Sequence, residues 1–162
     1  MRKKKVNDMK PEKAMKKAAK EALKAVMLGH GGPFGAAIAR KGKIIATAHN
    51  TVLKENDATA HAEINAIRKA SKKLKTFDLS KCEIYSACEP CPMCLAAIHW
   101  ARIKKVYYAC AAKDAASIGF DDLKFEKAFR QGKSIVPKKR IRSEKCLEAF
   151  AEWKKKPGKK FY

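Results

Sequence analysis

The sequence predicts an α/β fold: a three-layer α/β/α domain with a mixed central sheet. Three observations carry this expectation: a helix-period run near the amino end, a hairpin pattern directly after it, and a strand, helix, strand succession over residues 82–110. The succession implies parallel pairing with a right-handed crossover, whereas a hairpin is antiparallel, so both senses meet in one sheet. At 162 residues the chain suits a single domain, 1–162, with one substantial core.

The elements follow in order. From Lys10 onward, Ala14, Met15, Ala18, Ala19, Ala22, Leu23 and Val26 recur at helical spacing, and Gly29 closes the pattern. After the loop HGGP, the runs FGAAIAR (34–40) and KIIATAHN (43–50) flank Lys41-Gly42 and read as a β-hairpin. TAHAEINAIRKASKKL (59–74) reads as a helix with Ile64, Ile67 and Leu74 on one side. CEIYSAC (82–88) is apolar and β-rich, MCLAAIHWAR (93–102) is helical, and KKVYYAC (104–110) is a strand again. Beyond Gly119 the pattern weakens; a helix is expected over 144–156, before a break at Pro157-Gly158.

The formal net charge is +22, from 38 Lys+Arg against 16 Asp+Glu. Residues 1–20 hold nine basic and two acidic side chains, and residues 138–162 hold ten and three, so the ends carry most of the excess. Such a surface attracts polyanions nonspecifically, but a Lys-rich solvated surface explains it as well. Only seven of the basic residues are Arg, whose planar fork specific phosphate and base readout favours. Nucleic acid is therefore a partner the basic surface permits without favouring.

Residues 1–10 form a basic N-terminal extension without the apolar core of a secretory signal, and no stretch approaches 18 apolar residues. A cytoplasmic protein with no membrane partner is expected. In a reducing compartment Cys82, Cys88, Cys91, Cys94, Cys110 and Cys146 are expected as ligands or core thiols, without disulfides.

CEPCPMC (88–94), taken alone, fits part of an iron-sulfur site or a redox dithiol. His61-Ala62-Glu63 changes the weighing. A helix beginning near His61 and another beginning near Cys91 would point two positive dipole ends at one place, which favours thiolates and a bound hydroxide. His61, Cys91 and Cys94 make three ligands, and a zinc ion held by three keeps its fourth position for water or hydroxide, the catalytic pattern. Glu63 is too close to His61 to ligate the same ion conveniently, but it is placed to carry that water's protons. H-x-E with P-C-x-x-C at this spacing is the signature of zinc nucleobase deaminases. Cys88 is then a strand-end or supporting thiol, Cys82, Cys110 and Cys146 are core residues, and His30, His49 and His99 are not ligands.

The chain resembles the bacterial-type guanine deaminases of the cytidine-deaminase-like superfamily. The likeness runs through GGPFGAAIAR (31–40), the Asn50 segment, TAHAEINAIRKA (59–70), CEPCPMCLAAIHWAR (88–102), DAASIGFDD (114–122) and FAEWKKK near the C-terminus. It implies a cytidine-deaminase-like fold, one Zn2+ per subunit, and hydrolysis of the small purine base guanine to xanthine and ammonia, in purine catabolism or salvage. It further implies that Asn50 holds the purine, that Phe34 and Ala62 line its pocket, that Trp100 closes it, and that Asp122 binds the guanine edge or assists the proton shuttle. Residues 140–162, ending in Phe161-Tyr162, are expected to cover an active site, with Tyr162 at the substrate, by exchange between subunits of a homodimer.

Without the resemblance, Asn50 reads as a strand end, Phe34 and Trp100 as core aromatics, and Asp121 and Asp122 as turn residues. Chemistry favours the carboxylate: guanine offers N1–H and an amine on one edge, which an acid can accept, and adenine lacks the N1 donor. The basic extension, the lysine-rich end and Pro157-Gly158 are departures from the family pattern. Three alternatives stay open: a tRNA-specific adenosine deaminase, a deaminase of another small amino-heterocycle or nucleoside, and a noncatalytic nucleic-acid-binding protein whose zinc only holds the fold. A rate insensitive to salt would count against the first of these, and loss of turnover in a folded Glu63→Ala protein against the last.

Overall fold

The computed structural model describes residues 10–120 and 122–161. Nearly all of the N-terminal extension, Asp121 and Tyr162 lie outside the described residues.

Helix α1 (Pro11–Met27) starts with Pro at its first turn and Glu12 beside the positive dipole end. Its inward stripe is alanine: Ala14, Ala18, Ala22 and Ala25 are buried. Small side chains let the helix lie close on the sheet, and β1 (Gly35–Arg40) answers with a glycine. A Cβ at Gly35 would stand 2.1 Å from the Ala18 carbonyl oxygen and 2.4 Å from the Ala22 nitrogen. The larger residues expected on this face point out: Leu23 is 60% and Val26 51% exposed. Distance to the sheet, which hydropathy does not encode, decides between the two faces.

Strand β2 (Lys43–His49) pairs antiparallel with β1 through a tight turn in which Lys41 and Gly42 both adopt positive φ, the geometry a two-residue hairpin needs. On its other side β1 pairs antiparallel with β3 (Glu83–Cys88), which pairs in parallel with β4 (Lys105–Cys110). The sheet order is β2-β1-β3-β4, mixed as expected. Strand β1 is central, and its alternation shows it: Ala37 and Ala39 face α1 with Tyr85, while Ala36 and Ile38 face the larger core.

That larger core lies under α3 (Ala62–Leu74) and α4 (Pro92–Trp100), with Ile84, Leu79, Ile98 and Ile103 at its centre. Alanines again form the buried apolar stripe of α3, Ala62, Ala66 and Ala70, and Ile67 and Leu74 are only partly buried.

Three short helices follow no pattern strong enough to be expected: α2 (Val52–Glu55), α5 (Ala112–Ser117) and α6 (Leu123–Arg130). The last helix, α7 (Glu144–Lys155), fits its expected span, and its N-cap Ser143 accepts a hydrogen bond from the Cys146 amide at 3.4 Å. All six cysteines are free; Cys82 and Cys88 are buried, but Cys110 and Cys146 are exposed, on the edge strand and on α7, not in a core. No helix of the described residues is long and apolar enough to cross a membrane.

Candidate metal and active site

Two helix starts converge beyond the ends of β2 and β3. His61 is the N-cap of α3 and Cys91 the N-cap of α4, both in extended backbone, with Pro92 fixing the first turn of α4. Cys94, one turn along, is fully buried. The Sγ atoms of Cys91 and Cys94 lie 3.6 and 3.5 Å from His61 Nδ1. The three ligand atoms all lie within 4.8 Å of one another. A tetrahedral ion about 2.0 Å from nitrogen and about 2.3 Å from sulfur has an N···S edge of roughly 3.5 Å, so the donor set is spaced for zinc.

The electrostatics fit a cation as well. The hydrogen bond from Cys94 comes first among the causes that hold the Cys91 thiol down to about 4, helped by His61. The same bond, with burial, pushes Cys94 up. His61 is raised, chiefly by its hydrogen bond to Cys91. Two thiols and an imidazole thus share protons that a divalent cation would displace, stabilising both sulfurs as thiolates.

Glu63 stands behind this cluster, 5% exposed in the first turn of α3. Its Oε1 accepts a hydrogen bond from Ser86 Oγ at 2.7 Å, and its Oε2 accepts one from Cys94 Sγ at 3.4 Å. Burial pushes its carboxyl above the usual range against the lowering effect of Ser86. A carboxylate in such a place changes protonation state at less acidic pH than a solvated one.

The cluster opens on a cavity of about 440 Å³ that Glu63, His61 and Cys91 share with Phe34, Asn50 and Asp122. Phe34 meets Phe120 edge to face at 4.8 Å, closing one wall. Asn50 is 4% exposed, and its Oδ1 accepts from the Val52 amide at 3.1 Å. The glycines of HGGP are required by this wall. A Cβ at Gly31 would stand 2.0 Å from Asn50 Oδ1, and one at Gly32 2.6 Å from the Phe120 ring. Asn65 Nδ2 ties the assembly together, reaching Thr51 Oγ1 at 2.8 Å and the carbonyls of His49 and Ala60 at 3.2 Å each.

The structure therefore brings His61, Glu63, Cys91, Cys94, Asn50, Phe34 and Asp122 together. It does not bring Trp100 or Ala62 to the cavity wall: Trp100 ends α4 at 65% exposure, and Ala62 packs in the core under α3. Tyr162 is outside the described residues. Ser86, Glu89, Leu53, Phe120 and Asn65 were not singled out from sequence. Glu89 sits inside the cysteine motif and could have been found there; it lines the cavity and accepts from the Ala112 amide at 3.1 Å. Ser86 and Asn65 act across the fold, on partners 23 and 14 residues away, and no local pattern announces them.

Residues 8–110 match the model of the cytidine and deoxycytidylate deaminase zinc-binding region. Over 156 residues the chain is 44% identical to guanine deaminase of Bacillus subtilis, which covers 95% of this chain and 100% of that one. A crystal structure of guanine deaminase from Bacillus subtilis superposes with a TM-score of 0.88 over 95% of this chain and 99% of that one. The tRNA-specific adenosine deaminase of Aquifex aeolicus is 43% identical over 99 residues, 61% of this chain and 65% of its own.

Proposed function

This chain belongs to the cytidine and deoxycytidylate deaminase zinc-binding family, and from that premise we propose that it hydrolyses guanine to xanthine and ammonia. The observation that carries the chemistry is a buried carboxylate, Glu63, set beside a His61, Cys91, Cys94 cluster on the floor of a cavity whose wall holds Asn50 and Asp122. The choice of base is supported by extent: the guanine deaminase match spans 95% of the chain, whereas the tRNA deaminase match spans 61%.

In this reading His61 Nδ1, Cys91 Sγ and Cys94 Sγ would hold one zinc ion per subunit. When bound, zinc supplies a Lewis acid that makes hydroxide available at neutral pH. Glu63 does the proton work. Its carboxylate takes the proton of the attacking water and gives it to ring nitrogen N3 as a C–O bond forms at C2 of guanine. It then takes the remaining hydroxyl proton and passes it to the exocyclic nitrogen as the C–N bond breaks, releasing ammonia. Ser86 holds Oε1, and Oε2 lies on the Cys94 side, toward the metal cluster and the water it would activate. Asp122 accepts from the N1–H edge of guanine, a donor that adenine lacks, and Asn50, able both to donate and to accept, holds the ring. Phe34 supplies an apolar wall, and Ala62 contributes through the start of α3 rather than through its side chain.

The proposal extends to a cytoplasmic homodimer whose residues 140–162 cross over, Tyr162 and Trp100 completing closure of the site. Exposed apolar side chains support it. Ile141, Leu147 and Phe150 are 84%, 57% and 73% exposed, and edge strand β4 leaves Tyr108 50% exposed. Surfaces of this kind mark interaction sites. A solution mass of twice 18.1 kDa is expected, and a chain ending at Arg142 is expected to be monomeric with most of its kcat/KM lost. A fully active monomer would remove the exchange.

Ammonia release from guanine, adenine, cytosine and guanosine by the zinc-replete protein tests the function directly. Turnover of guanine alone is expected, with Glu63→Gln losing about 100-fold or more while retaining zinc. Silence on every small base, with turnover of a tRNA anticodon stem, would replace guanine by the polynucleotide reading.

A further inference from the structure

Beside the cavity runs a chain of titratable side chains that takes no part in the chemistry above. Glu21 of α1 accepts a hydrogen bond from His49 Nδ1 at 2.7 Å and another, on its second oxygen, from Thr47 Oγ1 at 3.2 Å. His49 Nε2 lies 2.9 Å from His30 Nδ1, and the two rings stack with centroids 5.2 Å apart. His49 is 9% exposed and ends β2 directly before Asn50. His30 directly precedes Gly31, and its carbonyl accepts from the amides of Leu53 and Lys54 at 3.0 and 3.1 Å. One carboxylate and two imidazoles therefore join α1, the end of β2, the glycine loop and α2. Those last three pieces present Asn50, Gly31, Gly32 and Leu53 to the cavity.

We propose that Glu21, His49 and His30 form a positioning relay that fixes the purine-binding wall of Asn50 and Gly31-Gly32, and so sets affinity for the base rather than the rate of its chemistry. The proposal rests on the guanine reading for the identity of that base. Its physical logic begins at Glu21. A carboxylate facing Nδ1 selects the Nδ1–H tautomer of His49 and strengthens the bond, leaving the Nε2 lone pair to receive the proton of His30. The loop so held touches Asn50 directly, because a Cβ at Gly31 would already stand 2.0 Å from Asn50 Oδ1. Loosening His30 therefore lets the glycines and the amide drift together, and an amide that has drifted meets the purine edge at the wrong distance. Neither histidine touches the reacting atoms, so kcat is insulated from the relay.

The groups facing His30 are Lys24 from α1, His49 from β2, and Lys54 and Glu55 from α2, with Glu21 of α1 beyond His49. Desolvation first, then the charges of Lys54, His49 and Lys24, hold His30 below the ordinary histidine value against Glu55. The ring is thus uncharged at neutral pH, and its Nδ1–H donates to His49 Nε2.

The test compares wild type, His30→Ala, His49→Ala and His30→Asn, an amide that can still bond where Nδ1 stood. Steady-state turnover of guanine is read together with guanine affinity by calorimetry in a Glu63→Gln background, where nothing turns over. In the two alanine variants KM and Kd are expected to rise together by about tenfold, while kcat holds within about threefold and zinc content is unchanged. His30→Asn should recover most of the affinity, its amide donating to His49 Nε2 as the His30 ring does. Unchanged Kd in both alanine variants would overturn the relay, as would a loss confined to kcat or an asparagine variant as weak as alanine. A wild type that binds guanine without releasing ammonia would sink the catalytic reading while the Kd comparison still decides the relay; one that does not bind guanine overturns both.

Discussion

Glu63 and Ser86 make a pair whose energetics differ from those of surface hydrogen bonds. The carboxyl is buried, so removing its donor leaves one oxygen without compensation, at a cost of about 1–3 kcal/mol. Ser86 supplies no proton to the substrate; its hydroxyl turns the carboxylate. Ser86→Ala should accordingly lower kcat about tenfold with KM for guanine unchanged, since only the transition state depends on where Oε2 points. A steady-state comparison at fixed zinc content checks this, and an unchanged kcat would mean that the helix alone aims Glu63. At this scale the sequence was readable where covalent spacing fixes geometry. H-x-E holds His61 and Glu63 on one helix start, and P-C-x-x-C does the same for Cys91 and Cys94. Ser86, Asn65 and the Glu21, His49, His30 chain meet only because the sheet brings distant segments together, and there periodicity is silent. Trp100 reads as a site aromatic by likeness alone, and the chain leaves it 65% exposed.

Apart from α2, the elements from α1 through β4 were legible from the same sequence to within a few residues, because each carries an apolar period or a hairpin turn. The alanines Ala14, Ala18 and Ala22 of the expected stripe face inward, but Leu23 and Val26, counted with them for their hydropathy, point out because the helix sits too close to the sheet for them. Gly35 is the other half of that contact, with the Ala18 carbonyl oxygen 2.1 Å and the Ala22 nitrogen 2.4 Å from where a Cβ would lie. Both atoms are backbone and cannot swing away, so Gly35→Ala must lift α1 as a body. Overpacking of this kind costs about 1–3 kcal/mol, and here the displacement also draws Glu21 from His49. Chemical denaturation of Gly35→Ala should show a midpoint lowered accordingly at unchanged slope. A wild-type midpoint would mean that α1 rides free of the sheet. The short helices α2, α5 and α6 escaped the sequence for the opposite reason: at four, six and eight residues they offer too few periods to register, and neighbouring loops hold them.

For the whole molecule the outstanding quantity is charge. With 38 basic side chains against 16 acidic ones, fewer than half of the cations can find a carboxylate. Among the described residues, ion pairs such as Lys155 with Glu152 at 2.9 Å and Arg102 with Asp78 at 3.7 Å are exposed, so each offsets little of the total. A net +22 on one chain repels itself, and the folded chain feels this more than the unfolded one because its charges are closer together. The range of that repulsion is set by salt: the screening length falls from about 30 Å at 0.01 M to about 8 Å at 0.15 M. Added salt should therefore raise the melting temperature, by about 2–4 °C for each kcal/mol of repulsion relieved. The direction is opposite to that of a fold held by surface ion pairs, which salt weakens. Turnover of guanine should not follow the same curve, because an uncharged base gains nothing from a cationic surface. Thermal denaturation and steady-state rates across that salt range separate the two quantities. A melting temperature that rises while kcat/KM stays flat places the charge outside the chemistry, as a burden that ions or a polyanion would relieve. A melting temperature that falls with salt would mean that the cations are spaced widely enough to be neutralised pair by pair after all.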